Sequence, residues 1–170
     1  MDTTGNFTLF TIGAIIALAF AIPWFIHYRR KSEKRKLARY FHEFVEANNL
    51  HLENEQSLHK NRIGIDREKL KLVFMEGSKF PPKSYLIDLR EVSVCKVSKI
   101  RNKSTGYIHR IFLKIIFKEK KKKNLLLPIY NESTDKLFRM MRLSKKAQYW
   151  QKSIELFREP TTRILTAVSN

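Results

Sequence analysis

The residues able to do acid–base, nucleophilic or metal chemistry are few and scattered. The histidines stand at 27, 42, 51, 59 and 109. His51-Leu52-Glu53 matches the H-x-E half of a zinc-deaminase signature, but no P-C-x-x-C comes after it. His51 and His59 with Glu53 and Glu55 have the donor types of a metal site at a spacing that suits none of the familiar sets, so a solvated polar loop is the better reading. Cys95, the single cysteine, has no base beside it in sequence and reads as a buried strand thiol. There is no phosphate-binding glycine loop. The pattern points away from an enzyme and implies no cofactor and no metal.

What the chain has in excess is positive charge. Its 170 residues carry 34 Lys and Arg against 16 Asp and Glu, a formal +18. That balance suits a polyanionic surface: a membrane leaflet, nucleic acid or an acidic protein. With one cysteine, no internal disulfide or Cys-rich zinc framework can form. A hydrophobic content of 43% excludes a wholly disordered chain.

The charge is unevenly placed. Before Arg29 the only charged side chain is Asp2. Residues Phe7 to Ile26 contain no ionisable group, and twenty residues at ~1.5 Å each match the hydrocarbon thickness of a bilayer. The segment therefore reads as a transmembrane helix over 7–28, with Trp24 and Tyr28 at the interface where aromatic side chains concentrate. A cleaved signal peptide fits less well, because residues 1–6 supply no positive n-region. A buried core helix fits poorly at a terminus. Arg29, Arg30, Lys31, Lys34, Arg35, Lys36 and Arg39 crowd the exit of the span, which predicts that this side stays in the cytoplasm and the N-terminus faces outward. The expected location is the cell (inner) membrane. Gly13, Ala17 and Ala21 recur every four residues, a stripe that would let a second helix approach.

Three further segments are expected after the extracytoplasmic residues 1–6 and the span. A basic juxtamembrane amphipathic helix covers 29–49, with Leu37, Tyr40, Phe41, Phe44 and Val45 on one face. That face either packs on the adjoining domain or lies among headgroups, and packing is preferred. An α+β domain covers 50–159, and a flexible tail 160–170. Within the domain, residues 62–66 and 70–74 predict a hairpin, and 76–83 a loop. Residues 85–100 predict a long strand kinked near Arg90-Glu91. The strand at 108–118 shows Ile111, Leu113, Ile115 and Phe117 on one face, and Lys120–Asn124 forms a charged tip. A last strand spans 125–130, with Pro128 marking an edge. Asn131, Ser133, Thr134 and Asp135 then offer capping groups to a helix whose stripe is Met140, Leu143, Ala147, Trp150, Ile154 and Phe157. Hairpin-linked strands followed by one helix predict an antiparallel sheet, curled or forming a partly open barrel, capped by that helix.

This succession resembles a pleckstrin-homology-like (PH-like) domain on the segments IGID (63–66), LIDLREVSV (86–94), IFLKIIF (111–117) and the helix 135–158. With the leading span, the chain looks like single-pass bacterial membrane proteins that carry such a domain. The resemblance implies seven strands in a bent sheet and a binding or scaffold role. In phosphoinositide-binding members basic residues of the first hairpin hold phosphates, and Lys60, Lys69 and Lys71 align loosely with that pattern.

The function expected is a non-enzymatic, membrane-tethered interaction or scaffold protein. It would dock a protein partner or a second copy at the anionic inner leaflet. Lys120, Lys121, Lys122, Lys123, Arg142, Lys145 and Lys146 are the candidate contacts to an anionic surface, including lipid headgroups. The alternative is a membrane tether for nucleic acid or ribosomes. Against it, Phe112, Phe117, Tyr130 and Trp150 fall mostly at core positions rather than on a stacking platform.

Overall fold

The computed structural model describes residues 21, 24, 25, 28, 31–78, 80–102 and 104–158. Most of the predicted span, including Gly13 and Ala17, and residues 29, 30 and 159–170 lie outside them. No helix among the described residues is long and apolar enough to cross a membrane. The chain divides into two compact units, Met1–Arg39 and Tyr40–Asn170. In the first, all the described residues are helical, and Trp24, Tyr28, Lys31, Lys34, Arg35, Lys36 and Arg39 are exposed.

Helix α1 runs through residues 31–47, and its residues 40–47 begin the second unit. Seven strands come next: β1 (Asn54–Leu58), β2 (Asn61–Asp66), β3 (Lys71–Glu76), β4 (Lys83–Asp88), β5 (Val92–Arg101), β6 (Ile108–Phe117) and β7 (Leu125–Asn131). Helix α2 (Met140–Arg158) closes the order. The strands form two antiparallel sheets, β1-β2-β3-β4 and β5-β6-β7. The expected antiparallel α+β architecture is present, and the strands do not close into a barrel: the ladder breaks between β4 and β5. The break is the kink anticipated near Arg90, where a 3-10 turn at Leu89–Glu91 is capped by the Asp88 carboxylate.

Alternation in sequence becomes a division of faces. Ile63, Ile65, Leu72 and Phe74 point from the first sheet into the main core, where Ile111, Leu113, Ile115 and Leu127 meet them from the second. The α2 stripe covers this core through Leu143, Ala147, Trp150 and Ile154. Complete burial of a large apolar side chain contributes roughly 1.5–3 kcal/mol. The opposite face of the first sheet is buried as well. Phe41, Val45, Val73 and Met75 are inaccessible or nearly so. Between them lies Gly64, where a Cβ would stand 2.6 Å from Leu52 Cδ1 and 3.3 Å from Phe41 Cζ. Phe41 and Val45 are buried as the sequence expectation had them, whereas Phe44 is half-buried and Tyr40, expected on the same face, is exposed.

One polar segment that the sequence left open is now placed, and two local expectations need correction. Residues 54–58 form β1, although NEQSL has no apolar alternation. Its polar groups are answered by α2 instead: Asn54 donates to Tyr149 Oη and Trp150 Nε1 donates to Gln56 Oε1 at 3.0 Å. Residues 85–100 are two strands in different sheets. The polar groups at 131–135 build a turn rather than a helix cap. Asn131 N–H donates to Asp135 Oδ2 and Ser133 N–H to Asn131 Oδ1, and α2 starts only at Met140.

Candidate functional site

Two surfaces of the second unit carry the groups that could recognise a partner. The first is the end of the second sheet where β7 hands over to α2. A short 3-10 turn, Leu137–Arg139, leads into the helix. Here Leu137, Phe138 and Met141 are 57%, 72% and 67% exposed, apolar side chains left at the surface close together in sequence. Lys136, Arg142 and Lys145 are exposed among them. Tyr107, also exposed, lies on the β5–β6 connection at this end of the sheet. Glu132 N–H donates to the His109 carbonyl there, and the two side chains pair at 2.9 Å.

The second surface is a groove of about 580 Å³ along the edge of β4. Five consecutive β4 residues, Ser84 to Asp88, line it, together with Phe117, Leu125, Lys122 and Lys123. Asp88 pairs with Lys71 at 2.7 Å. Burial by itself would raise the Asp88 carboxyl pKa, but the bonds from Lys71 and the Arg90 N–H outweigh it and hold the carboxyl below its ordinary value. Lys122 pairs with Glu91 and lies 4.4 Å from the Phe117 ring centroid, which orders one end of the lysine tip.

The expected cationic contacts divide accordingly. Lys120, Lys121, Lys122 and Lys123 precede β7, whereas Arg142, Lys145 and Lys146 come after it, so the structure sets them at opposite ends of a strand of roughly 20 Å. Lys146 is not a free surface cation. Its Nζ donates to the Ser57 carbonyl at 2.9 Å, and burial, then Arg142, lowers its pKa. Lys60, Lys69 and Lys71 do not converge either. Lys60 lies at the start of β2 and the other two beyond its end, where Lys69 donates to the Asn49 carbonyl and Lys71 to Asp88. Ala21 is helical and exposed.

The side chains with the types needed for chemistry are engaged elsewhere. His59 Nε2 lies 3.3 Å from Asp135 Oδ1 and 2.9 Å from Arg139 Nη1, joining the β1–β2 turn to the approach of α2. Glu53 pairs with Arg67 at 2.8 Å and Glu55 with Arg62. Cys95 is buried, and burial, reinforced by Glu155, pushes its thiol up to about 12. No group of three or more His, Cys, Asp or Glu side chains converges among the described residues.

Sequence reasoning named cations of both surfaces, Arg142 and Lys145 at one and Lys122 and Lys123 at the other, but neither the exposed apolar residues nor the groove. Leu137 and Phe138 precede α2 and Met141 lies in its first turn outside the buried stripe of Leu143, Ala147, Trp150 and Ile154. The groove depends on which strand is an edge, a property of sheet order that single strands do not announce. No family model matches the chain, and no curated protein or solved structure matches it either.

Proposed function

We propose that the chain is a non-enzymatic interaction protein held at the inner leaflet by one membrane span, with a basic PH-like domain that docks a protein partner there. The observation that carries this reading is the uncharged run Phe7–Ile26 followed at once by the basic cluster Arg29–Arg39. Seven antiparallel strands closed by one helix support the PH-like assignment.

The β7–α2 end suits contact with anionic lipid. Lys136, Arg142 and Lys145 would each contribute roughly 1 kcal/mol near an anionic leaflet. Leu137, Phe138 and Met141 would leave water for the headgroup boundary. Because the span already keeps the domain local, this attraction orients the domain and need not recruit it.

A polarity-sensitive fluorophore on a Phe138→Cys variant of the full chain tests this in nanodiscs. Cys95 is buried and stays unlabelled. The emission shifts to the blue in anionic discs relative to neutral ones, and added salt reverses the shift. Equal emission in both discs contradicts the lipid contact. A shift evoked by RNA in neutral discs, and not by anionic lipid, moves the reading to nucleic acid.

A further inference from the structure

The two sheets have four edges: β1 and β4 of the first, β5 and β7 of the second. An open edge presents unpaired N–H and C=O groups and invites another strand. Three of these edges are blunted by the chain itself. On β1 the Ser57 carbonyl accepts from Lys146. On β5 the Val97 N–H donates to Gln151 Oε1 of α2 at 3.3 Å. On β7 Pro128 has no N–H to offer, and its carbonyl accepts from Asn61 Nδ2 at 2.6 Å.

The β4 edge is different. Leu89 N–H donates to the Leu70 carbonyl at 2.8 Å, which sets the phase of the β3–β4 ladder. With Leu72 opposite Ile87 and Phe74 opposite Tyr85, Ile87 and Tyr85 bond to β3. Ser84, Leu86 and Asp88 therefore turn their backbone groups outward. Among the described residues no hydrogen bond answers the outward groups of Ser84 and Leu86. Leu86 is 42% exposed. The groove runs along these residues, with Phe117 and Leu125 as apolar lining.

We propose that β4 receives an extended acidic segment of a partner protein as a fifth strand of the first sheet. This deepens the reading above, on which it rests for the existence of a protein partner. Addition at an edge draws affinity from main-chain bonds and selectivity from alternate side chains. Charge selects the occupant. Asp88 and Glu91 are already matched by Lys71 and Lys122, which leaves exposed Lys123 at the groove and Lys120 and Lys121 on the same tip. An acidic segment meets complementary charge. A second copy of a chain with formal charge +18 meets repulsion.

The test uses the full chain in zwitterionic detergent and a labelled, end-blocked peptide of alternating Val and Glu. Binding is expected by fluorescence anisotropy, with the Ser84, Leu86 and Asp88 amides slowed in hydrogen exchange. Affinity falls at least about tenfold for the Val/Lys peptide, and as much for a Val/Glu peptide N-methylated at every residue. Leu86→Pro, which removes an outward N–H, loses the peptide. Should that variant misfold, the N-methylated peptide on the unaltered chain decides the matter. Undiminished binding of the N-methylated peptide overturns the proposal. So does no binding at about 1 mM, protection confined to β5 or β7, or self-association through β4 that the peptide does not displace. A chain that spans the membrane yet refuses the peptide loses this inference alone. A chain that takes the peptide without spanning a membrane loses the tether and keeps the edge.

Discussion

Lys146 donates its ammonium hydrogen to the carbonyl of Ser57 at 2.9 Å, while its neighbour Lys145 is exposed. Adjacent lysines on one helix thus have separate roles. Lys146 ties α2 to the edge of β1, and Lys145 leaves its charge in solvent beside Arg142. Lys146→Met removes a charged donor from an exposed carbonyl and should cost about 0.5–1.5 kcal/mol, read as a lower urea midpoint. Lys145→Glu should leave that midpoint within about 0.5 kcal/mol and reduce the lipid-dependent blue shift of the Phe138 label. Equal effects of the two substitutions on stability would contradict the division.

Gly64 of β2 packs against the Leu52 and Phe41 side chains. A Cβ there meets Leu52 Cδ1 at 2.6 Å, Phe41 Cζ at 3.3 Å and the Asn54 carbonyl oxygen at 3.3 Å. Gly64→Val should destabilise by about 1–3 kcal/mol through overpacking. Gly64→Ala should cost less, because the end of the Leu52 side chain can move, and Leu52→Ala should relieve part of that cost. Additive effects of Gly64→Ala and Leu52→Ala would show that the two sites do not share this space.

Much of this packing was legible in the residues. Ile111, Leu113 and Ile115 alternate in sequence and are buried together, as do Ile63 and Ile65 against Leu72 and Phe74. Leu143, Ala147, Trp150 and Ile154 recur at helical spacing and cover that core. β1 was not legible, because its strand character comes from pairing with β2 and from side-chain bonds to Tyr149 and Trp150. Leu137, Phe138 and Met141 were not legible as a surface, because they lie outside the buried stripe of α2 and their spacing does not say whether another element covers them. The β4 groove was hidden for another reason: period-two alternation assigns faces and says nothing of edges.

Asp66 gives the fold an acid limit. Its carboxylate is buried and accepts the N–H groups of His51 and Lys69, both at 2.8 Å. Burial raises its pKa, but the two backbone bonds outweigh that and hold the carboxyl below its ordinary value of 3.8. Below 3.8 the unfolded chain takes up a proton that the folded chain still refuses. The stabilisation is therefore complete above that pH and drains away as pH falls through the lower folded value. Asp66→Asn should lower the urea midpoint at neutral pH and flatten its decline in acid, with Asp88 supplying the slope that remains. An unchanged acid slope would contradict the role given to Asp66.

The most direct test of the account is protease protection of the full chain, tagged at its C-terminus, in cells with an opened outer envelope and an intact inner membrane. The tag should sediment with membranes and resist added protease until the inner membrane is permeabilised. Digestion before that step would contradict the account, as would recovery of the tagged product in the soluble fraction.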